Sequence, residues 1–114
     1  MDATELILLF DYYGSLLTDR QRECFELRYN QDLSLGEIGE ELGISRQGVY
    51  DNLSRTEALL KNMEAKTGCV SRDRNCRLAA VQIRELAAML ASHADENVSE
   101  AAQRILSCVN RLEE

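Results

Sequence analysis

The stretch Leu33-Ser34-Leu35-Gly36-Glu37-Ile38-Gly39-Glu40-Glu41-Leu42-Gly43-Ile44-Ser45-Arg46-Gln47-Gly48-Val49-Tyr50-Asp51-Asn52-Leu53 decides the fold. Ser34 caps a first helix, and Glu37 three residues on completes a capping box. Ile38 and Leu42 lie one turn apart and share a face. Gly43 follows at the helix end, where the backbone needs positive φ. Ile44 packs into the elbow. Ser45 is a second N-cap and opens a helix that turns Val49 and Leu53 inward. Two capped helices, a glycine turn and interlocking apolar positions make a helix-turn-helix.

The flanking segments read as helices too. Thr4 is the expected cap of a greasy helix running to Tyr13, broken by Gly14 and Ser15. Thr18-Asp19-Arg20-Gln21 is another capping box, with acid in the first turn, and its helix runs to about Tyr29. The motif helices span about 35–42 and 46–65. An apolar stripe of Val49, Leu53, Leu60 and Met63 on the second is interrupted by Thr56. A helix of that length reaches roughly 30 Å. Leu59, Leu60 and Met63 therefore need cover beyond a minimal motif.

Thr67-Gly68 ends the long helix, and residues 69–72 read as a short polar connection. From Asp73 to Ser92, Ala79, Ile83, Leu86 and Leu90 recur at helical spacing. After a turn at His93-Ala94-Asp95-Glu96-Asn97, a last helix carries Val98, Ala101, Ala102, Ile105, Val109 and Leu112. The short connection suggests an antiparallel pair. The expected fold is all-α. A helix-turn-helix domain over residues 1–66 precedes a C-terminal helical hairpin over residues 67–114, a candidate for dimerisation.

Composition agrees. The 114 residues are 45% hydrophobic and contain no proline. No segment alternates with period two, which favours helix over strand. No apolar run approaches the roughly 20 residues of a membrane span. No basic flank and cleavage site mark a secretory signal. A cytoplasmic location without membrane insertion is the expectation. Cys24, Cys69, Cys76 and Cys108 lack the close pairing of a zinc site. A set of Cys69, Cys76 and His93 is too widely spaced to be favoured. Reduced thiols fit a reducing compartment. No nucleophile with its base, and no phosphate-binding glycine loop, can be recognised. Neither enzymatic activity nor a cofactor is expected.

In a helix-turn-helix, the start of the second helix meets base edges. The outward candidates are Ser45, Arg46, Gln47, Tyr50, Asp51 and Arg55. Arg46 or Arg55 can grip a phosphate or a guanine, and Gln47 an adenine edge. Ser45 and its neighbouring amides suit a phosphate at the helix N-terminus. Tyr50 can stack on a base. Asp51 repels phosphate, though it can accept from a cytosine amine. The net charge of −7 weighs against a simple basic nucleic-acid surface. That charge is uneven: residues 1–40 hold nine acids and three bases, whereas residues 41–66 hold four of each. The alternative is that these side chains are solvated residues on a protein-interaction helix.

Leu9-Phe10-Asp11-Tyr12-Tyr13-Gly14-Ser15-Leu16-Leu17-Thr18, Leu35-Gly36-Glu37-Ile38 and Ser45-Arg46-Gln47-Gly48-Val49-Tyr50-Asp51-Asn52 together resemble the YlxM family. These are small bacterial helix-turn-helix proteins encoded beside the signal recognition particle genes. The resemblance covers about residues 4–66 and extends to region four of sigma factors, which reads promoter DNA. At Gly39 and Gly48 the family usually carries alanine. Residues 67–114 match no recognised pattern. The resemblance implies a regulator tied to protein targeting, with DNA or RNA, or a signal recognition particle component, as partner. Helix-turn-helix proteins often read two-fold half-sites, and an unpaired apolar stripe adds the expectation of a homodimer. The rival expectation is a module that binds a targeting-pathway protein without touching nucleic acid.

Overall fold

Four side-chain oxygens start four helices in the computed structural model, which describes residues 2–112. Asp2 accepts from the Glu5 amide at 2.9 Å and opens α1, Ala3–Tyr13. Thr18 caps α2, Asp19–Tyr29, through a full capping box with Gln21. Ser34 and Glu37 do the same for α3, Leu35–Leu42. Ser45 accepts from the Gly48 amide at 2.9 Å and opens α4, Arg46–Thr67. The first cap differs from the expected Thr4. Asp2 reaches the orphan amides first, and Thr4 falls inside the first turn.

A 3-10 turn, Gly14–Leu16, joins α1 to α2. Two further helices follow, α5 at Cys69–Ala91 and α6 at Glu96–Leu112, and no strand occurs among the described residues. Gly43 and Gly68 both adopt positive φ, 72° and 62°, and end α3 and α4. Residues 69–72 are not the expected connection. Gly68 alone separates α4 from α5, because two carboxyl-terminal side chains of α4 satisfy the next helix. Thr67 Oγ1 accepts from the Cys69 amide at 3.3 Å, and Glu64 Oε1 from the Val70 amide at 3.1 Å.

The chain divides after Val70 into two compact units. In the first, α4 is the shared wall of two apolar clusters. Leu60 packs with Leu6, Leu9, Tyr13, Leu17, Phe25 and Val70. Phe10 stacks on Phe25 with ring centroids 4.3 Å apart. Val49, eleven residues before Leu60, packs with Cys24, Leu27 and Ile38, and Leu42, Ile44 and Leu53 lie against that cluster. Leu60 is thus covered by α1 and α2, while Leu59 stays exposed. Thr56 is wholly buried, yet its hydroxyl donates to the Asn52 carbonyl at 2.9 Å. The break in the stripe is therefore part of the core.

The second unit holds most of α5 and all of α6. Asp95 Oδ1 accepts from the Asn97 amide, and the Ser99 hydroxyl donates to the Ala91 carbonyl across the turn. The buried positions of the unit are Ala80, Ala87, Ala102 and Val109. Expected inward residues Ile83, Leu86, Leu90, Ile105 and Leu112 are instead exposed. On α5 the buried row lies one residue, or about 100°, from the expected one. Alanines occupy both rows, so apolar spacing alone did not select between them.

Candidate nucleic-acid interface

The elbow between α3 and α4 sets the direction of the second motif helix, and Gly39 controls the elbow. Its carbonyl accepts from the amides of Gly43 and Ile44, the latter at 3.0 Å. A Cβ on Gly39 would lie 2.7 Å from the Ile44 carbonyl oxygen and 3.6 Å from the Arg46 nitrogen. No backbone atom can yield cheaply at the first distance. Glycine lets the turn press this closely on α3, whereas the alanine usual in the family needs the Ile44 backbone to stand off. Gly48 is less constrained, since an added Cβ would meet only the Ser45 hydroxyl at 3.1 Å. At Gly36 the space is open apart from Ser34 Oγ at 4.0 Å.

Val49 is buried without remainder, and this phases the rest of α4. Ser45, Arg46, Gln47, Tyr50, Asp51 and Arg55 are all exposed. Arg46, Gln47, Tyr50 and Asp51 share one outer face, at spacings of one, three and one residues. Arg55 lies at the edge of that face, roughly 13 Å along the axis from Arg46. Tyr50 is 54% exposed, so its ring is open for stacking. The other tyrosines are less available: Tyr13 is buried, Tyr29 half-buried and Tyr12 only 37% exposed.

Gln47 Nε2 donates to Asp51 Oδ1 at 3.0 Å. The acid that looks awkward in sequence therefore orients the glutamine amide one turn before it. That leaves the Gln47 carbonyl oxygen and its second N–H directed by a fixed partner, as bidentate base contact requires. Ser54 is also exposed and sits four residues after Tyr50, inside the same face. Sequence reasoning passed over it, although the i+4 and i+7 spacing from Tyr50 and Gln47 was there to be read. Asn52 turns inward: its Oδ1 is covered and has no hydrogen-bond partner among the described residues.

Electrostatics at the elbow are modest. Residues 45–55 carry Arg46 and Arg55 against Asp51, a surplus of one positive charge. Glu40 and Glu41 on α3 are exposed. The Ser34 backbone and hydroxyl hydrogen bonds hold the Glu37 carboxyl below its ordinary pKa. Burial pushes the Cys24 thiol up, and the side chain packs in the apolar cluster of Val49. Among the described residues no group of three or more His, Cys, Asp or Glu side chains could hold a metal ion. No helix among them is long and apolar enough to cross a membrane.

Comparison with known proteins bears on both units. A family model described as "Putative helix-turn-helix protein, YlxM / p13 like" matches residues 1–104. A UPF0122 protein of Thermoanaerobacter sp. (strain X514) is 60% identical over 71 residues, 62% of this chain and 61% of that protein. A UPF0122 protein of Bacillus cereus (strain AH187) is 37% identical over 111 residues, 97% of this chain and 96% of that protein. One of Bacillus anthracis (strain A0248) matches to the same extent. The aligned chain thus spans about six-tenths of the Thermoanaerobacter relative's length but nearly all of the Bacillus ones. The tail that resembled nothing in sequence lies inside the family match as far as residue 104.

Proposed function

This chain belongs to the YlxM / p13-like family of helix-turn-helix proteins, and from that premise we propose that it is a nucleic-acid-binding regulator of the signal recognition particle pathway. One observation carries the reading: α4 presents Arg46, Gln47, Tyr50 and Asp51 on one exposed face, with Ser45 at its N-terminus. Arg46 and Arg55 supply phosphate or guanine contacts, Gln47 an oriented amide, and Tyr50 a ring for stacking. The amides opened by Ser45 receive a phosphate oxygen. The resemblance to sigma region four supports duplex DNA as ligand. Its link to the targeting genes supports the particle's RNA.

A gel-shift titration with duplex DNA and with signal recognition particle RNA at low salt tests this. Binding of either, weakened in Arg46→Ala/Arg55→Ala, is the expected result. No shift with either nucleic acid refutes the reading and leaves the rival, a module that binds a targeting-pathway protein.

The homodimer belongs to the same proposal. Ile83, Leu86, Met89 and Leu90 of α5 are exposed together, from 41% to 74%. Exposed apolar side chains recurring at helical spacing suit an association site. A dimer mass by light scattering at micromolar concentration is expected, and a monomer mass contradicts it.

A further inference from the structure

The second unit carries a charge pattern that the helix-turn-helix does not use. Residues 71–84 hold four arginines, Arg72, Arg74, Arg77 and Arg84, against one acid, Asp73. Residues 85–114 reverse this, with six acids against Arg104 and Arg111. A chain of net charge −7 thus gathers a local surplus of three positive charges on residues 71–84 of α5.

Helix phase sharpens the patch. Arg74 and Arg77 are three residues apart and fall on one side of α5, whereas Arg84 lies between Ala80 and Ala87 on the buried row. Arg74 and Arg77 are exposed, while Arg84 is half-buried with its Nη2 covered. Arg77 pairs with Asp73 at 3.1 Å, with 72% of its own side chain exposed. An exposed i,i+4 pair contributes little and is readily exchanged for a stronger anion. The Arg74 and Arg77 pair spans roughly 5 Å along the helix axis.

We propose that this short arginine row, Arg74 and Arg77 on α5, is a second nucleic-acid contact, gripping backbone phosphates independently of base sequence. The inference rests on the nucleic-acid reading of α4. All six bases of residues 71–114 are arginine and none is lysine. A guanidinium meets a phosphate with two parallel hydrogen bonds, which a lysine ammonium cannot do. Ser71, Asn75 and Gln82, interspersed and exposed, add neutral donors of the kind found at phosphate contacts. Such a contact explains how an acidic protein holds nucleic acid: the cations are concentrated and the acids kept on other segments.

The test is fluorescence anisotropy with the full chain, titrating a labelled duplex DNA and, separately, a labelled RNA hairpin at about 50 to 200 mM salt. Arg74→Gln/Arg77→Gln is compared with Arg104→Gln/Arg111→Gln, which removes equal charge from α6. Unchanged circular dichroism and thermal midpoint verify folding, and Arg74→Ala/Arg77→Ala, which removes the same charge, serves if the glutamine pair unfolds. The α5 pair should lower affinity about tenfold and reduce the slope of log K against log salt by about one to two. The α6 pair should do markedly less. Whichever probe shows the larger loss identifies the source of the phosphates. Equal losses from both pairs overturn the inference, because net charge alone then accounts for them. So does an α5 variant that keeps nucleic-acid affinity but shifts self-association, which would assign the row to an acidic protein surface. Wild-type chain that binds neither probe overturns the α4 reading as well. Binding that depends on Arg46 and Arg55 alone overturns only the α5 contact.

Discussion

Gln47 and Asp51 are joined across one turn of α4 by a 3.0 Å hydrogen bond on the face that points away from the core. The bond makes Asp51 a positioning residue for the Gln47 amide and, at the same time, a negative charge facing any bound phosphate. For a duplex of arbitrary sequence the charge dominates. Asp51→Asn should therefore raise non-specific affinity about threefold to tenfold at low salt. Anisotropy titration reads this directly, and lower affinity in the variant would show that the carboxylate itself contacts the ligand.

The two helical glycines of α3 should respond in opposite directions. Gly39→Ala drives a Cβ to 2.7 Å from the Ile44 carbonyl oxygen. Destabilisation of about 1–3 kcal/mol is expected, the usual cost of forced overpacking. Gly36→Ala meets no such obstacle and should stabilise by up to about 1 kcal/mol through helix propensity. Urea midpoints of the two variants test the pair, and equal effects would contradict the elbow geometry.

The caps at Thr18, Ser34 and Ser45, the turn at Gly43 and the stop at Gly68 were legible in sequence, since each is a local residue choice with a local backbone cause. The exposed face of α4 was legible too, because Val49 and Leu53 fix its phase. The direct join of α4 to α5 was not. It depends on the Glu64 and Thr67 side chains reaching the Val70 and Cys69 amides, and spacing carries no sign of that. Neither was the buried row of α5, where Ala79 and Ala80 offer two equivalent registers. The Gln47–Asp51 bond was hidden for another reason: Asp51 invited judgement by its charge, not by its i,i+4 partner.

Tyr13 ties α1 to the end of α4. Its hydroxyl donates to Glu64 Oε1 at 2.7 Å and lies 2.6 Å from Thr67 Oγ1. The same Glu64 oxygen accepts from the Val70 amide. Tyr13→Phe should cost about 1–3 kcal/mol, as expected for a bond to a charged acceptor. Hydrogen exchange at Val70 should quicken with it. A variant with wild-type stability and unchanged Val70 exchange would remove this node from the fold's support.

Acid should weaken the motif through Glu37. The Ser34 amide donates to its carboxylate at 3.1 Å and favours the charged form, so the folded pKa lies below the unfolded one. The stabilisation is present above the ordinary glutamate range and is lost as pH falls through the folded value. Glu37→Gln should therefore flatten the acid limb of a plot of urea midpoint against pH. An identical acid limb in wild type and variant would contradict the linkage.

The central claim is that the outer face of α4 meets nucleic acid. Amide chemical-shift mapping of the isotope-labelled full chain, titrated at low salt with a short duplex DNA and with an RNA hairpin, tests it most directly. Use of this face predicts saturable shifts at residues 45–55, led by Arg46, Gln47 and Tyr50. Unperturbed amides there, with either ligand in excess, would contradict it.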